Sequence, residues 1–172
     1  NYYLNFKPKE SVDAVLEDAA EMGLKVVRTW GNLDAGVKTD KVSDKGYTVF
    51  TDSVDGSGEK EGVYYQYFDA DLGRPVVNEG EDGLQKLDYA LYKAEQEGIK
   101  LLITFTNNWE AFGGMGQYVQ WAKLAGENVS GHDDFYTNET IKGWYKDYIK
   151  TLLNHENVYT GVKYKDDPTI FS

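Results

Sequence analysis

Three stretches of the chain repeat their apolar residues at intervals of three and four, the spacing of a helix with one buried face. Val12, Val15, Leu16, Ala19 and Ala20 predict a helix that starts near Ser11 and is stopped by Gly23. Leu84, Leu87, Leu91 and Ala94 predict a second, from about Asp82 to Glu97, stopped by Gly98. Ile141, Trp144, Tyr145, Tyr148, Ile149, Leu152 and Leu153 predict a third, with Thr137 as its N-cap. Two short apolar runs follow the first two helices, Leu24-Lys25-Val26-Val27-Arg28 and Ile99-Lys100-Leu101-Leu102-Ile103. Runs of this kind suit strands of a parallel sheet covered on both faces. The glycine ahead of each suits the left-handed position that ends a helix. Asn1-Tyr2-Tyr3-Leu4 reads as a strand-like start, and Thr169-Ile170-Phe171-Ser172 as the beginning of one more strand.

The order is therefore strand and helix in alternation, which predicts a parallel sheet with helices outside it. A closed (βα)₈ barrel and an open doubly wound sheet both satisfy it. A closed barrel takes about 250 residues, so 172 residues would be a partial (βα)8 TIM barrel of about three and a half βα units. Between the second strand and the second helix lies a long insertion, about Gly31 to Gly80. Its runs Tyr47-Thr48-Val49-Phe50-Thr51 and Val63-Tyr64-Tyr65-Gln66-Tyr67-Phe68 flank the turn residues Asp55-Gly56-Ser57-Gly58, which predicts a long-looped β-hairpin. A second long loop, Asn107 to Tyr136, follows the third strand. Long loops after the carboxyl ends of barrel strands are where binding sites are built.

Composition narrows the ligand. With 29 Asp and Glu against 18 Lys and Arg, a formal net charge of −11 repels phosphate backbones and anionic lipid, so neither nucleic acid nor a membrane is the expected partner. A neutral polysaccharide meets no such repulsion. Aromatic residues make up 15% of the chain, 14 of them Tyr, enough to supply stacking platforms for sugar rings as well as an aromatic core. No cysteine is present, which removes thiol chemistry and thiolate metal sites. No apolar run approaches the roughly 20 residues that span a bilayer, and no export signal is visible.

Two strand ends carry the candidate chemistry. Arg28-Thr29-Trp30-Gly31 places an arginine, read here as buried, where it needs a carboxylate partner, and beside it an indole that can stack on a sugar or fill the barrel mouth. Thr106-Asn107-Asn108-Trp109 places two carboxamides and an indole together. Carboxamides both donate and accept, which matches sugar hydroxyls, yet Asn is equally at home in a turn. Glu110 reads as a solvated loop residue, Asp166-Asp167 as loop chemistry before Pro168, and His155 as a surface or half-buried group on the third helix. His132-Asp133-Asp134 is too sparse for a metal site. No cofactor is expected, because phosphate-binding loop, nucleophile elbow and zinc-helix motifs are all missing. Asn128-Val129-Ser130 and Asn138-Glu139-Thr140 match the glycosylation pattern, which is common by chance.

Several blocks, taken together and in order, resemble the endo-β-1,4-mannanases of glycoside hydrolase family 5. They are Gly23-Leu24-Lys25-Val26-Val27-Arg28-Thr29-Trp30-Gly31, Gly83-Leu84-Gln85-Lys86-Leu87-Asp88-Tyr89, and Asn107-Asn108-Trp109 with Gly113-Gly114-Met115. His132-Asp133-Asp134-Phe135-Tyr136 and Tyr159-Thr160-Gly161-Val162 are similar to the bacterial members. The resemblance implies a secreted, retaining hydrolase of mannan, glucomannan or galactomannan, a monomeric parent, and a single catalytic barrel of which residues 1–172 are the amino-terminal part.

It also implies roles for single residues. Arg28 would support the nucleophile carboxylate, and Tyr2, Tyr3, Trp30, Asn107, Asn108 and Trp109 would line the substrate cleft. The family's acid/base glutamate belongs to a Trp-Glu-Leu-x-Asn-Glu-Pro segment of the fourth strand, and its nucleophile follows the seventh. The chain is expected to carry neither, and to hydrolyse nothing alone. Asn32 departs from the pattern, since relatives commonly carry Phe after Trp-Gly. Competing expectations are a non-catalytic carbohydrate-binding domain, a complete small open-sheet α/β enzyme, and another family 5 activity such as cellulase or β-mannosidase.

Overall fold

The structure, a computed structural model, describes residues 3–172, with side chains from Leu4 onward. The described residues begin with a helical turn, α1 (Tyr3–Phe6), where Asn1-Tyr2-Tyr3-Leu4 was expected to be strand-like; Asn1 and Tyr2 lie outside the described residues. Leu4, Asn5 and Phe6 are all buried, and three consecutive buried residues do not fit the alternation of a half-covered strand. Helix α2 (Lys9–Glu21) begins two residues ahead of Ser11 and buries Val12, Leu16 and Ala19. Gly23 follows at φ +78°, the left-handed turn that releases the chain into β1 (Val26–Trp30). The same device recurs later. Helix α3 (Gln85–Gln96) buries Leu87, Leu91 and Ala94, and Gly98 at φ +67° leads into β6 (Lys100–Thr104).

Strands β1 and β6 pair in parallel, from Val26 opposite Lys100 to Trp30 opposite Thr104. On the far side of β6, Ile170 bridges Leu101 in parallel, with Leu101 N–H donating to Thr169 O and Phe171 N–H to Leu101 O, both at 2.8 Å. The expected final strand thus begins where the pattern placed it. Covering on both faces, however, is not what these strands show. Thr29, Leu101 and Ile103 are buried toward the helices, while Val26 and Arg28, on the opposite face, are exposed.

The insertion after β1 is a four-stranded sheet, not a single hairpin. Its strands are β2 (Asp34–Val42), β3 (Thr48–Thr51), β4 (Gln66–Asp69) and β5 (Arg74–Val77), in the order β3-β2-β4-β5. The two runs expected to pair with each other are separated by β2, which takes β3 antiparallel on one edge and β4 parallel on the other. β4 then forms its own hairpin with β5. The strand between them was hidden because Asp34–Val42 is mostly small and charged. Gly36 explains part of this, since a Cβ there would lie 1.8 Å from the Thr51 carbonyl oxygen, so the tight β2–β3 approach admits no side chain.

Three α-helices follow β6. The first, α4 (Gly114–Leu124), packs Tyr118, Val119, Trp121 and Ala122 with Phe68, Phe135 and Ile141 in a second core. The short α5 (Asp134–Thr137) leads to α6 (Glu139–Asn154). The N-cap of α6 is Asn138 rather than Thr137, its side-chain oxygen accepting from Ile141 N–H at 3.0 Å. Tyr148 and Leu152 of α6 join the main core with Leu16, Leu87, Leu91 and Leu101. His155, just past α6, is buried rather than superficial. Its Nδ1 lies 2.7 Å from Glu79, and its Nε2 lies 3.0 Å from Asp88.

Candidate functional site

Parallel pairing with Trp30 opposite Thr104 brings the carboxyl ends of β1 and β6 to one rim. The segments beyond them, 31–34 and 105–114, therefore run side by side and are stitched together. Gly31 N–H donates to Thr104 O at 2.6 Å and Asp34 N–H to Phe112 O at 3.0 Å. Asn32 Nδ2 donates to the same Phe112 carbonyl at 3.1 Å. Gly114 N–H donates to Asp34 Oδ2 at 3.0 Å. Asn32, the residue that departs from the expected Phe after Trp-Gly, is fully buried in this seam.

Arg28 and Trp30 are two apart on β1 and so share a face. The guanidinium sits over the indole at 4.8 Å from the ring centroid, a cation–π contact. Arg28 is exposed, not buried as expected, because it lies on the face of β1 opposite the buried Thr29 and in line with the exposed Val26. Trp30 packs at 5.7 Å against Phe112 of the neighbouring loop, and its carbonyl accepts from Asn5 Nδ2. Asn5 Oδ1 in turn accepts from Thr29 Oγ1 at 2.9 Å, fastening α1 to the end of β1.

In the loop after β6, Asn107 is a turn residue. Its Nδ2 donates to Ala111 O at 2.9 Å and its Oδ1 accepts from Trp109 N–H at 3.1 Å. Its carbonyl accepts from Met115 N–H at 2.9 Å. This closed turn pushes Asn108 and Trp109 outward, and Trp109 is 77% exposed. Gly114, at φ +57°, permits the fold-back: a Cβ there would lie 2.3 Å from Asn107 O and 2.9 Å from Trp109 O. Tyr2 and the side chain of Tyr3 lie outside the described residues.

Asp34 is the buried carboxyl of the seam. Burial pushes its carboxyl up to about 7, opposed by hydrogen bonds from Gln66 and Gly114. Gln66 Nε2 donates to Asp34 Oδ1 at 2.8 Å and also reaches Tyr118 Oη at 3.0 Å. Next to the seam, Phe112 N–H donates to Asp55 Oδ2 at 2.6 Å. Asp34 gave no sign of this in the sequence, being one of 29 acidic residues. Among the described residues no group of three or more His, Cys, Asp or Glu converges as a metal site would require.

Residues 79–172 match the model of the family described as GH family 5 beta-mannosidase-like. The chain belongs to that family.

Among relatives of this family 5 chain, mannan endo-1,4-beta-mannosidase 3 of Arabidopsis thaliana is 37% identical over 98% of the chain and 34% of its own length. The solved endo-1,4-beta-mannanase of Rhizomucor miehei superposes with a TM-score of 0.78 at 38% identity, covering 100% of this chain and 40% of that one. The hyperthermostable endo-1,4-beta-D-mannanase of Thermotoga petrophila superposes at 0.69 with 38% identity, over 99% and 41%. The α/β fold is thus similar to family 5 mannanase TIM barrels, and the chain spans about a third of the length of the curated relatives it matches.

Proposed function

We propose that residues 1–172 form the amino-terminal part of a single (βα)₈ catalytic barrel, about its first three and a half βα units. The whole barrel would be an endo-acting, retaining hydrolase of the β-1,4-mannosidic bonds of mannan, glucomannan or galactomannan. In this reading the chain supplies one side of the substrate cleft, and the two carboxylates that such cleavage uses come from elsewhere in the protein. Trp30 and Trp109 offer aromatic surface for sugar rings, and Asn108, exposed at the same rim, offers an amide for hydroxyls. Asn107 shapes the loop that presents them. Arg28 holds the face of Trp30 and adds positive charge where a carboxylate nucleophile would stand. Tyr2 and Tyr3 are assigned to the cleft on the resemblance alone. A polymeric substrate cannot cross a membrane, so the working protein is secreted, and it acts as a monomer.

The observation that carries the reading is the parallel register of β1 and β6, which delivers both aromatic segments to one strand-end rim, the active-site face of such barrels. The test is reducing-sugar release from mannan and from cellulose by the protein at its natural length. We expect turnover of mannan, none by the 172-residue chain alone, and a roughly fivefold rise in KM for Trp109→Ala, the scale of one lost aromatic contact. Activity on cellulose but not mannan, or an unchanged KM in both Trp30→Ala and Trp109→Ala, refutes it.

A further inference from the structure

The loop that carries Asn108 and Trp109 is held from outside by a histidine the cleft reading does not use. His132 Nε2 lies 2.9 Å from the Asn108 carbonyl oxygen, and His132 Nδ1 lies 3.0 Å from Asp133 Oδ1. Both neighbours are acceptors only: a carbonyl and a carboxylate. A neutral imidazole has one N–H and cannot serve both, whereas the imidazolium serves both. The segment that carries His132 is itself braced. Asp134 Oδ2 accepts from Gly131 N–H at 2.9 Å and from Ser130 Oγ at 3.2 Å. Tyr136 Oη reaches Met115 Sδ at 3.3 Å.

We propose that His132 is a positioning residue for the candidate cleft: as an imidazolium it ties segment 130–137 to the Asn108 carbonyl and fixes how Asn108 and Trp109 are presented to the sugar. The acidic and carbonyl groups facing it favour that form. Asp133 on its own segment is the main one, with the Asn108 carbonyl and, from the loop after β6, Glu110; together they outweigh burial and raise its pKa. When the proton leaves for solvent, the carboxylate of Asp133 keeps the remaining N–H on Nδ1. The Nε2 lone pair then faces the Asn108 oxygen lone pairs, and the tie opens. Sugar affinity should therefore weaken on the alkaline side of the His132 titration.

The functional half of this inference rests on the cleft reading above, so the experiment separates the two. In the protein at natural length and without sugar, the Trp109 indole N–H resonance is followed against pH. It should titrate together with the His132 ring, and lose that transition in His132→Gln. In Asp133→Ala the neutral ring is free to keep its proton on Nε2 and hold Asn108, so the alkaline change should vanish although the histidine remains. On mannan, KM of the unaltered protein should rise about fivefold across the same transition, the scale of one sugar hydrogen bond lost as Asn108 shifts, with kcat unchanged. KM in Asp133→Ala should stay flat across that range. A Trp109 resonance that ignores the His132 titration, or an alkaline KM rise that persists in Asp133→Ala, overturns the proposal. Absence of mannan turnover at every pH sinks the cleft reading instead, and leaves the Trp109 titration to decide whether the tie exists.

Discussion

Replacing Asp34 by Asn should make the protein more stable at pH 8 and leave it unchanged at pH 4. In the folded chain burial lifts the Asp34 carboxyl from its ordinary 3.8 to about 7. Between those values the folded chain keeps a proton that the unfolded chain has released, so raising the pH removes stability across that window and no further above it. Each pH unit between the two values corresponds to about 1.4 kcal/mol, which places the full penalty of ionised Asp34 at about 4 kcal/mol above pH 7. The amide has the same shape and does not titrate. Its oxygen can accept from Gly114 N–H where Asp34 Oδ2 now does, and its NH₂ can donate to Gln66 once that side-chain amide turns over. The turned Gln66 still pairs with Tyr118, whose hydroxyl lies within reach of both ends of that amide. Tyr118 and Tyr148, whose hydroxyls feel the Asp34 charge, are raised well above their ordinary range by burial first and do not titrate in this interval. The assay is denaturant unfolding of both proteins at pH 4 and pH 8. The difference of differences isolates this group from every other titration. A value below about 1 kcal/mol, or an Asp34→Asn variant equally weakened at both pH values, would refute the reasoning.

The remaining predictions concern the far side of the core and the glycines. Burial pulls the His155 imidazolium down, but Asp88 and Glu79 more than compensate and leave its pKa raised. Its contribution is therefore complete below about pH 6.5 and fades as pH rises through the folded value. His155→Ala should cost about 3 kcal/mol at pH 6, because the fully buried Asp88 loses its cation, and clearly less at pH 9; equal losses by denaturant unfolding at both pH values would contradict this. Gly114→Ala forces a Cβ against backbone oxygens of Asn107 and Trp109. It should cost about 2 kcal/mol of stability and raise KM on mannan. Gly143→Ala on α6, where a Cβ meets nothing within 4 Å, should instead stabilise by about 0.5 kcal/mol.

Helices α2, α3 and α6 and strands β1 and β6 were legible because their signals are local, whereas α4 lies inside the stretch expected as a long loop, Asn107 to Tyr136. The stripe Ile141, Tyr148, Leu152 is buried as the spacing predicts, and Gly23 and Gly98 take the left-handed turns that end their helices. Cap residues were less so: Asn138 and Thr137 are both good N-caps by type, and only the hydrogen bond to Ile141 N–H separates them. The candidate site was legible in part. Trp30 and Trp109 could be picked out because an indole beside a strand end is conspicuous. Asn107 was open between hydroxyl reader and turn residue, and its contacts with Ala111 and Trp109 make it the turn.

What periodicity and residue type settled by themselves is the alternation of helix and strand and the end of the strands at which the aromatic segments leave. Those features depend on contacts within one or two turns of chain. Tertiary structure alone decided that Asp34–Val42 is the central strand of the insertion, that Asp34 is clasped by Gly114, and that His132 and His155 are bound rather than free. Each of these joins residues far apart in the chain. A charged residue looks the same in a sequence whether water or a buried amide surrounds it. Its environment, and therefore its chemistry, exists only once the distant partners have come together.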